Sequence, residues 1–322
     1  VGRLRQVQMP ILQGLLSVRN KTHSEKTMKT SRNIALTVMA VIGLASCNIS
    51  VHPGDSGLAV SADWADKDDR ATAVTKENLL IFNAATGAEE VNFSCGDARE
   101  LGSRLFPLET GDYAATLFVN LAEPFRFGPD QAIQDELSIS LNGGTSPFHA
   151  YFGSEDARID NSDNGVTEVQ MSAHRILSEF AIEIEGAPEG LSLDITVVNS
   201  SECLFPLKRN AEGQYGLTSS TAKESVIPDV RLSDNERRSE IFRVMPTVDG
   251  REYSIITMKL HFPDGTEHET MLESPRMNVS GKYLISLKFS ELRPFMRLSG
   301  HVIGNWTEGW TYAGEITDPD TI

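Results

Sequence analysis

The feature that most constrains this chain is a recurring short stretch in which apolar and polar residues alternate, closed each time by a turn signal. Leu58, Val60, Ala62 and Trp64 alternate with Ala59, Ser61 and Asp63. A period of two puts one set of side chains on a core and the other in water, which is the mark of a half-buried strand. Glu136 to Leu141 alternates and stops at Asn142-Gly143-Gly144, a strong turn signal. Phe180, Ile182 and Ile184 face away from Glu179, Glu183 and Glu185, and Leu191, Leu193, Ile195 and Val197 line one face after the turn Gly186–Gly190. Tyr283, Ile285, Leu287 and Phe289 alternate again. Between these lie further strand-like stretches: the apolar Leu79–Phe82, the aromatic Phe148–Phe152, and Val91–Cys95, Ala114–Val119, Val166–Met171, Ile241–Met245, Tyr253–Phe262 and Leu298–Ile303. Asp66–Arg70 reads as a charged loop and Ser219–Asp229 as a second loop. Helical signals are confined to Glu100–Leu105 and Asp130–Glu136, a turn or two each. Strands about every 8–12 residues, separated by Gly, Asn and Pro turns, predict an all-β chain of two tandem antiparallel β-sandwiches. The polar stretch Asp160–Gly165 divides them, giving an N-terminal sandwich over 58–162, a C-terminal one over 163–316 and a tail over 317–322.

The segment Met28 to Cys47 is of another kind. It opens with the cations Lys29 and Arg32, continues as an apolar run from Ile34 to Ala45, and ends Leu44-Ala45-Ser46-Cys47. The run is shorter than the roughly 20 residues that cross a bilayer. Charged start, short apolar middle and small-residue end are the layout of a secretion signal. The closing cysteine makes the segment resemble a bacterial lipobox, which implies cleavage between Ser46 and Cys47 and lipid on the Cys47 sulfur. The alternatives are an ordinary signal followed by an unrelated cysteine, or a short buried helix. On the lipobox reading, residues 1–27 are an upstream extension, 28–46 the signal peptide and 47–57 a tether to the first strand.

Removing residues 1–46 lowers Lys+Arg from 29 to 22 and Asp+Glu from 45 to 44, so the mature formal charge is −22. Such a surface argues against nucleic acid, whose phosphates need clustered Lys and Arg. It equally argues against electrostatic docking on anionic lipid. Of the three cysteines, Cys95 and Cys203 remain beside Cys47. Two cysteines make no disulfide framework, and both read as small buried hydrophobes.

A search for chemistry yields little. His261 and His268 flank the turn Pro263–Thr266. A two-residue loop would set them face to face, whereas a five-residue loop would set Phe262, Leu260 and Met258 opposite His268, Thr270 and Leu272. Neither register completes a zinc site without further ligands. Asp160–Gly165 matches the start of a calcium loop, but its twelfth position is Met171 where an acid is needed. Asp66, Asp68 and Asp69 form a charge run of the kind that is ordinarily solvated. Nucleophile-elbow, phosphate-loop, dinucleotide and zinc-protease motifs are missing from the sequence. No metal, cofactor or catalytic group is expected. The densest aromatic patch, Asn305 to Tyr312, holds Trp306 and Trp310; Trp306 reads as a core residue, while Trp310 and Tyr312 are candidate contacts for a partner or a sugar.

Taken in order, four places resemble the FimB/Mfa2 family of fimbrial lipoproteins: the lipobox ending at Cys47, a first strand ending Asp63-Trp64, the turn Phe106-Pro107-Leu108 with Gly111-Asp112-Tyr113 before a strand ending in Asn120, and Asn305-Trp306 after the last strand. Phe148–Gly153, Thr167–Met171 and Phe180–Glu185 sit where that family passes between its domains. The family's arginine after the Thr-Xaa-Val strand is matched loosely by Arg175. The resemblance implies transthyretin-like sandwiches, an outer-membrane anchor through lipid on Cys47, a non-catalytic place in an adhesive fimbrium and strand addition between subunits; the alternative class is a surface glycan-binding lipoprotein that uses Trp306, Trp310 and Tyr312, with a host protein or glycan as partner. It also admits a sister arrangement, a stalk or tip subunit matured by cleavage after Arg70. That cut would discard the Leu58–Trp64 strand, whose alternation marks it as permanent core, so the uncleaved anchor is the favoured expectation.

Overall fold

The computed structural model describes residues 56–292 apart from 97, 130–132, 161–164 and 236. Its strands run in chain order β1 (Gly57–Trp64), β2 (Glu77–Asn83), β3 (Glu89–Cys95), β4 (Leu105–Pro107), β5 (Gly111–Val119), β6 (Phe125–Gly128), β7 (Ser138–Leu141), β8 (Tyr151–Ile159) and β9 (Val166–Arg175). They continue as β10 (Ser178–Glu185), β11 (Ser192–Ser201), β12 (Cys203–Arg209), β13 (Tyr215–Thr218), β14 (Ala222–Arg231), β15 (Phe242–Val244), β16 (Tyr253–His261), β17 (Glu267–Pro275) and β18 (Lys282–Lys288). One short helix, α1 (Ala98–Gly102), and 3-10 turns at Lys67–Ala71 and Phe289–Glu291 are the other regular elements among the described residues. The all-β expectation holds.

The first body has three layers. One sheet runs β3-β2-β5-β8-β9-β1-β4, and a second runs β13-β12-β7-β6. The long sheet turns a corner where β8 meets β9, since only Tyr151↔Arg175 and Phe152↔His174 pair there. Folding at that corner lays β9-β1-β4 over β2-β5-β8. Leu58, Val60, Leu79, Ile81, Leu117, Tyr151 and Met171 fill the space between. The opposite face of β2-β5-β8 carries Leu80, Phe82, Phe118 and Phe152, which meet Ile139, Leu141, Leu204 and Leu207 of the second sheet. β2 and β5 are thus buried on both sides, which explains why Leu79–Phe82 is a continuous apolar run and Ala114–Val119 is one but for the buried Thr116, and neither alternates.

The second body is a two-layer sandwich, β15-β10-β18 over β14-β11-β16-β17. Phe180, Ile182, Ile184, Leu193, Ile195, Val197, Ile256, Met258, Leu260, Tyr283 and Ile285 form its core. These are the alternating positions of β10, β11, β16 and β18, so half-buried strands carried the clearest signal.

Three features depart from the sequence reading. First, β9 belongs to the long sheet of the first body, paired in parallel with β1 over eight residues, although it lies beyond residue 163. The hairpin β12–β13 also closes the first body, through β7. The first body therefore draws on residues past 162, and the pairing divides after β9 and not at Asp160–Gly165. Second, Ser219–Asp229 is mostly strand. β14 begins at Ala222 as a sheet edge, and a register shift near Asp229, whose φ is +49°, breaks the alternation that would have revealed it. Third, the hairpin at Pro263–Gly265 has neither of the expected registers. Phe262 N–H donates to Thr266 O, with Gly265 at φ +84°. The result sets His261 opposite Glu267 and His268 opposite Leu260.

Candidate functional site

Ser46, Cys47, Trp306, Trp310 and Tyr312 lie outside the described residues. Cys95 is buried and Cys203 half-buried, both as thiols and not joined in a disulfide. Among the described residues no group of three or more His, Cys, Asp or Glu is placed to hold a metal, and no helix is long and apolar enough to cross a membrane. Arg70, the candidate maturation site, leads to the most unusual chemistry in the described chain.

Arg70 sits in the 3-10 turn Lys67–Ala71 that follows β1. Asp66 caps the turn, its carboxylate accepting from the N–H of Asp68 at 3.0 Å. Arg70 itself is exposed, with Asp63 at 3.9 Å. Its neighbour Asp69 points the other way and is only 4% exposed. Asp69 Oδ1 accepts from Arg175 Nη2 at 2.6 Å, Arg175 Nε at 3.0 Å and the Tyr151 hydroxyl at 3.2 Å. Lys282 Nζ reaches Asp66 at 3.1 Å and Asp68 at 3.0 Å. The aspartates expected to be solvated are instead held by cations from distant strands.

Arg175 is the hub. It ends β9, and Ile176 and Leu177, both fully buried, carry the chain into β10 of the second body. Glu179 follows in β10 and is 5% exposed. In-sheet register sets Glu179 between Arg243 of β15 and Lys282 of β18. His149 Nε2 lies 2.7 Å and Arg243 Nε 3.1 Å from Glu179 Oε1. The two nitrogens are also 3.0 Å apart. Arg243 Nε donates to His149 Nε2 and faces Glu179 as an ion pair, while the direction of the His149–Glu179 hydrogen bond is set by the ring's tautomer.

The electrostatics follow from this enclosure. Burial pushes the Glu179 carboxyl up, but the His149 hydrogen bond and the charges of Arg243 and Arg175 outweigh it and leave the group below its ordinary value. Asp66 is lowered chiefly by the Asp68 backbone N–H, with Lys282 and Arg175 adding to it. Burial works against the charge on Arg175, and Asp69 more than compensates, so its pKa is raised. Burial also pushes the Tyr151 phenol up. Four carboxylates thus meet three cations and a histidine in a junction that joins β1's exit, the β8–β9 corner and three strands of the second body. The arrangement clamps: opposite charges from segments distant in sequence face one another and hold geometry.

Sequence reasoning located one end of this junction, the Asp66–Arg70 run, and touched the other only at Arg175, as a loose family match, with Glu179 read as the outward face of its strand. Arg175 and Glu179 bracket an apolar stretch, Ile176-Leu177, and a charged residue abutting a fully apolar pair is the signal that was available.

The folded chain is an all-β protein of two bodies joined by an ionic clamp. Among solved structures it is similar to the fimbrial anchor protein Mfa2 of Porphyromonas gingivalis, with 13% identity, 76% of this chain and 90% of that chain covered, and a TM-score of 0.48. It is similar also to a candidate adhesin of Bacteroides ovatus (14% identity, 68% and 82% covered, TM-score 0.48). A candidate cell-adhesion protein of Bacteroides eggerthii is a third (12% identity, 83% and 95% covered, TM-score 0.47). No protein-family model and no curated protein matches the chain.

Proposed function

We propose that this chain is a non-catalytic, lipid-anchored subunit of an adhesive fimbrium, held at the outer membrane through Cys47 after cleavage behind Ser46. The observation that carries the reading is the Met28–Cys47 segment, whose cysteine lies shortly before β1 begins at Gly57. Lipid there sets the folded bodies at the membrane surface on a short tether. Several acyl chains are needed, because a single chain binds only marginally. The proposal agrees with the resemblance of the sequence motifs to the FimB/Mfa2 family.

The anchor position is favoured over a cleaved stalk or tip by what surrounds Arg70. Cutting after it would release β1, which lies between β9 and β4 and buries Leu58, Ala59 and Val60. Full burial of such side chains is worth about 1.5–3 kcal/mol each for Leu and Val. The cut would also detach Asp66, Asp68 and Asp69 from Arg175 and Lys282. Neighbouring subunits would join at sheet edges, of which β14 and β17 are the longest in the second body among the described residues. Mass spectrometry of the mature N-terminus on cells tests both parts: an acylated Cys47 is expected, and a chain starting at Ala71 would overturn the anchor assignment. Cys47→Ala is expected to shift the protein from the membrane to the soluble fraction.

A further inference from the structure

The two bodies repeat one strand plan. In the first, β3-β2-β5-β8 faces β9-β1-β4; in the second, β14-β11-β16-β17 faces β18-β10-β15. In each the first strand lies parallel to the last, β1 to β9 and β10 to β18. They differ at the last strand of the four-stranded layer. In the first body β8 is followed in its sheet by β9. In the second, β17 ends its sheet among the described residues. It is a long edge, paired on its other side with β16 from Glu267 to Pro275.

The hairpin sets which backbone groups this edge presents. Phe262 N–H donates to Thr266 O, and bonded pairs alternate along an antiparallel ladder. Glu267, Glu269, Met271 and Glu273 therefore turn their N–H and C=O to the free side. The side chains of Glu267, Glu269 and Met271 are exposed and that of Glu273 is half-buried, whereas Thr270, Leu272 and Ser274 between them are buried. A bare edge of this length invites another strand. A strand that fits it carries cations beside the glutamates on the outer face and apolar residues at the positions between.

The chain holds such a sequence just past Leu292, the last described residue. In Phe295–Ile303, Arg297, Ser299 and His301 alternate with Met296, Leu298, Gly300 and Val302. The described chain also ends close to the edge. Phe289, in the closing 3-10 turn, lies 6.0 Å from the Phe262 ring, and Phe262 lies 5.3 Å from His268 at the head of β17. Arg293–Phe295 add about 10 Å of extended chain, comparable to those two ring contacts together. Entering at the head of β17, the segment runs parallel to it. We propose that Phe295–Ile303 covers the free edge of β17 in its own chain as a parallel strand, with Arg297 beside Glu269 and His301 beside Glu273. The same register sets Leu298 and Val302 on the core side, beside Thr270 and Ser274 and flanking Leu272. The short connection holds the segment at high effective concentration over its own edge, ahead of the edge of a second copy. Nothing in this arrangement depends on lipid at Cys47. It leaves β14 as the long edge of the second body for a neighbouring subunit.

The test is cross-linking in the full chain. Met271→Cys with Ser299→Cys places two thiols side by side on the outer face, where neighbouring strands lie about 4.7–4.9 Å apart and a disulfide can form. Val226→Cys with Ser299→Cys is the control. Val226 is as exposed as Met271, 52% against 49%, and ends the same cross-strand row at the opposite edge, on β14. Mild oxidation of dilute protein should join the first pair within one chain and the control several-fold less, read by peptide mass mapping. Amide exchange at Glu269, Met271 and Glu273 should be several-fold faster in Arg297→Glu, and adding Glu269→Arg should restore the slow rate. Both substitutions leave the described core untouched, so a change in exchange reports the edge and not a loss of folding. A disulfide between two chains would assign the edge to a second copy's tail and overturn the proposal. Equal cross-linking of the control, no cross-link in the first pair, or exchange that Arg297→Glu leaves unchanged would overturn it as well.

Discussion

At the scale of single residues, burial decides which ion pairs matter. Arg175 and Asp69 are both about 5% exposed as side chains, whereas Arg158 and Asp112, 3.8 Å apart, are 79% and 66% exposed. Removing one partner of a buried pair leaves the other charge stranded at a cost of about 3–5 kcal/mol, while exposed pairs contribute about 0–1 kcal/mol. Urea denaturation of Arg175→Met should therefore show a loss of about 3–5 kcal/mol, and Arg158→Ala a loss of at most about 1 kcal/mol. Equal effects of the two would show that the clamp contributes nothing beyond a surface contact. The pH dependence has a definite sign. Glu179 and Asp66 have folded pKa values below their ordinary values of 4.5 and 3.8. The unfolded chain therefore binds more protons in the window beneath those values. The stability they contribute is complete above about pH 5 and is lost as pH falls through the lowered folded values. His174, lowered from 6.5, acts in the same direction at higher pH. Thermal midpoints measured from pH 7 to pH 3 should fall steadily on the acid side, and Glu179→Gln should flatten the lowest part of that slope.

At the scale of elements, legibility tracked burial pattern. β10, β11, β16 and β18 present one face to the core, so their alternation could be read directly. β2 and β5 are covered on both faces and showed only as apolar runs. β14 was hidden because it is an edge strand with Pro228 and a bulge, and β12–β13 because Pro206 and mixed packing blur its period. The clamp was half legible: its aspartates stand together in sequence, but Arg175, Glu179, Arg243 and Lys282 converge only through strand pairing between distant segments. Turn chemistry can be tested at two glycines. Gly143 has φ +100° and open space within 4 Å of where a Cβ would stand, whereas Gly216 has φ +97° and Phe152 in the way. Gly143→Ala should cost about 1–3 kcal/mol from backbone strain alone. Gly216→Ala should cost more by the overpacking contribution of about 1–3 kcal/mol, measured as a difference in urea midpoints at constant m-value. Parity between the two would mean that the hairpin does not seat on Phe152.

At the scale of the whole molecule, the order of the chain and the order of the layers disagree, and this has a consequence for folding. The first body is finished by β9, β12 and β13, and β12–β13 is a continuation of the hairpin β11–β14 that belongs to the second body. One long bent hairpin therefore spans both bodies, and Leu204 and Leu207 from it close the core beneath Phe82 and Phe118. Such pairings are far apart in sequence, so loop closure must precede their contacts and folding is slow. The same connection ties the two bodies' stabilities together. A fragment spanning 47–165 would contain β1 to β8 but lose β9, which holds β1 over Leu117 and Tyr151, and β12–β13, which lays Leu204 and Leu207 over Phe82 and Phe152. It should bind a hydrophobic dye and lack near-ultraviolet dichroism, while the full chain shows neither defect. In the full chain, hydrogen exchange of β2 and β5 should report the same opening free energy as that of β11 and β16, because the shared hairpin and the clamp must break before either body can open. A clear gap between the two sets of amides, or a folded 47–165 fragment, would show instead that the bodies are independent units and that the bent hairpin merely rests on the first.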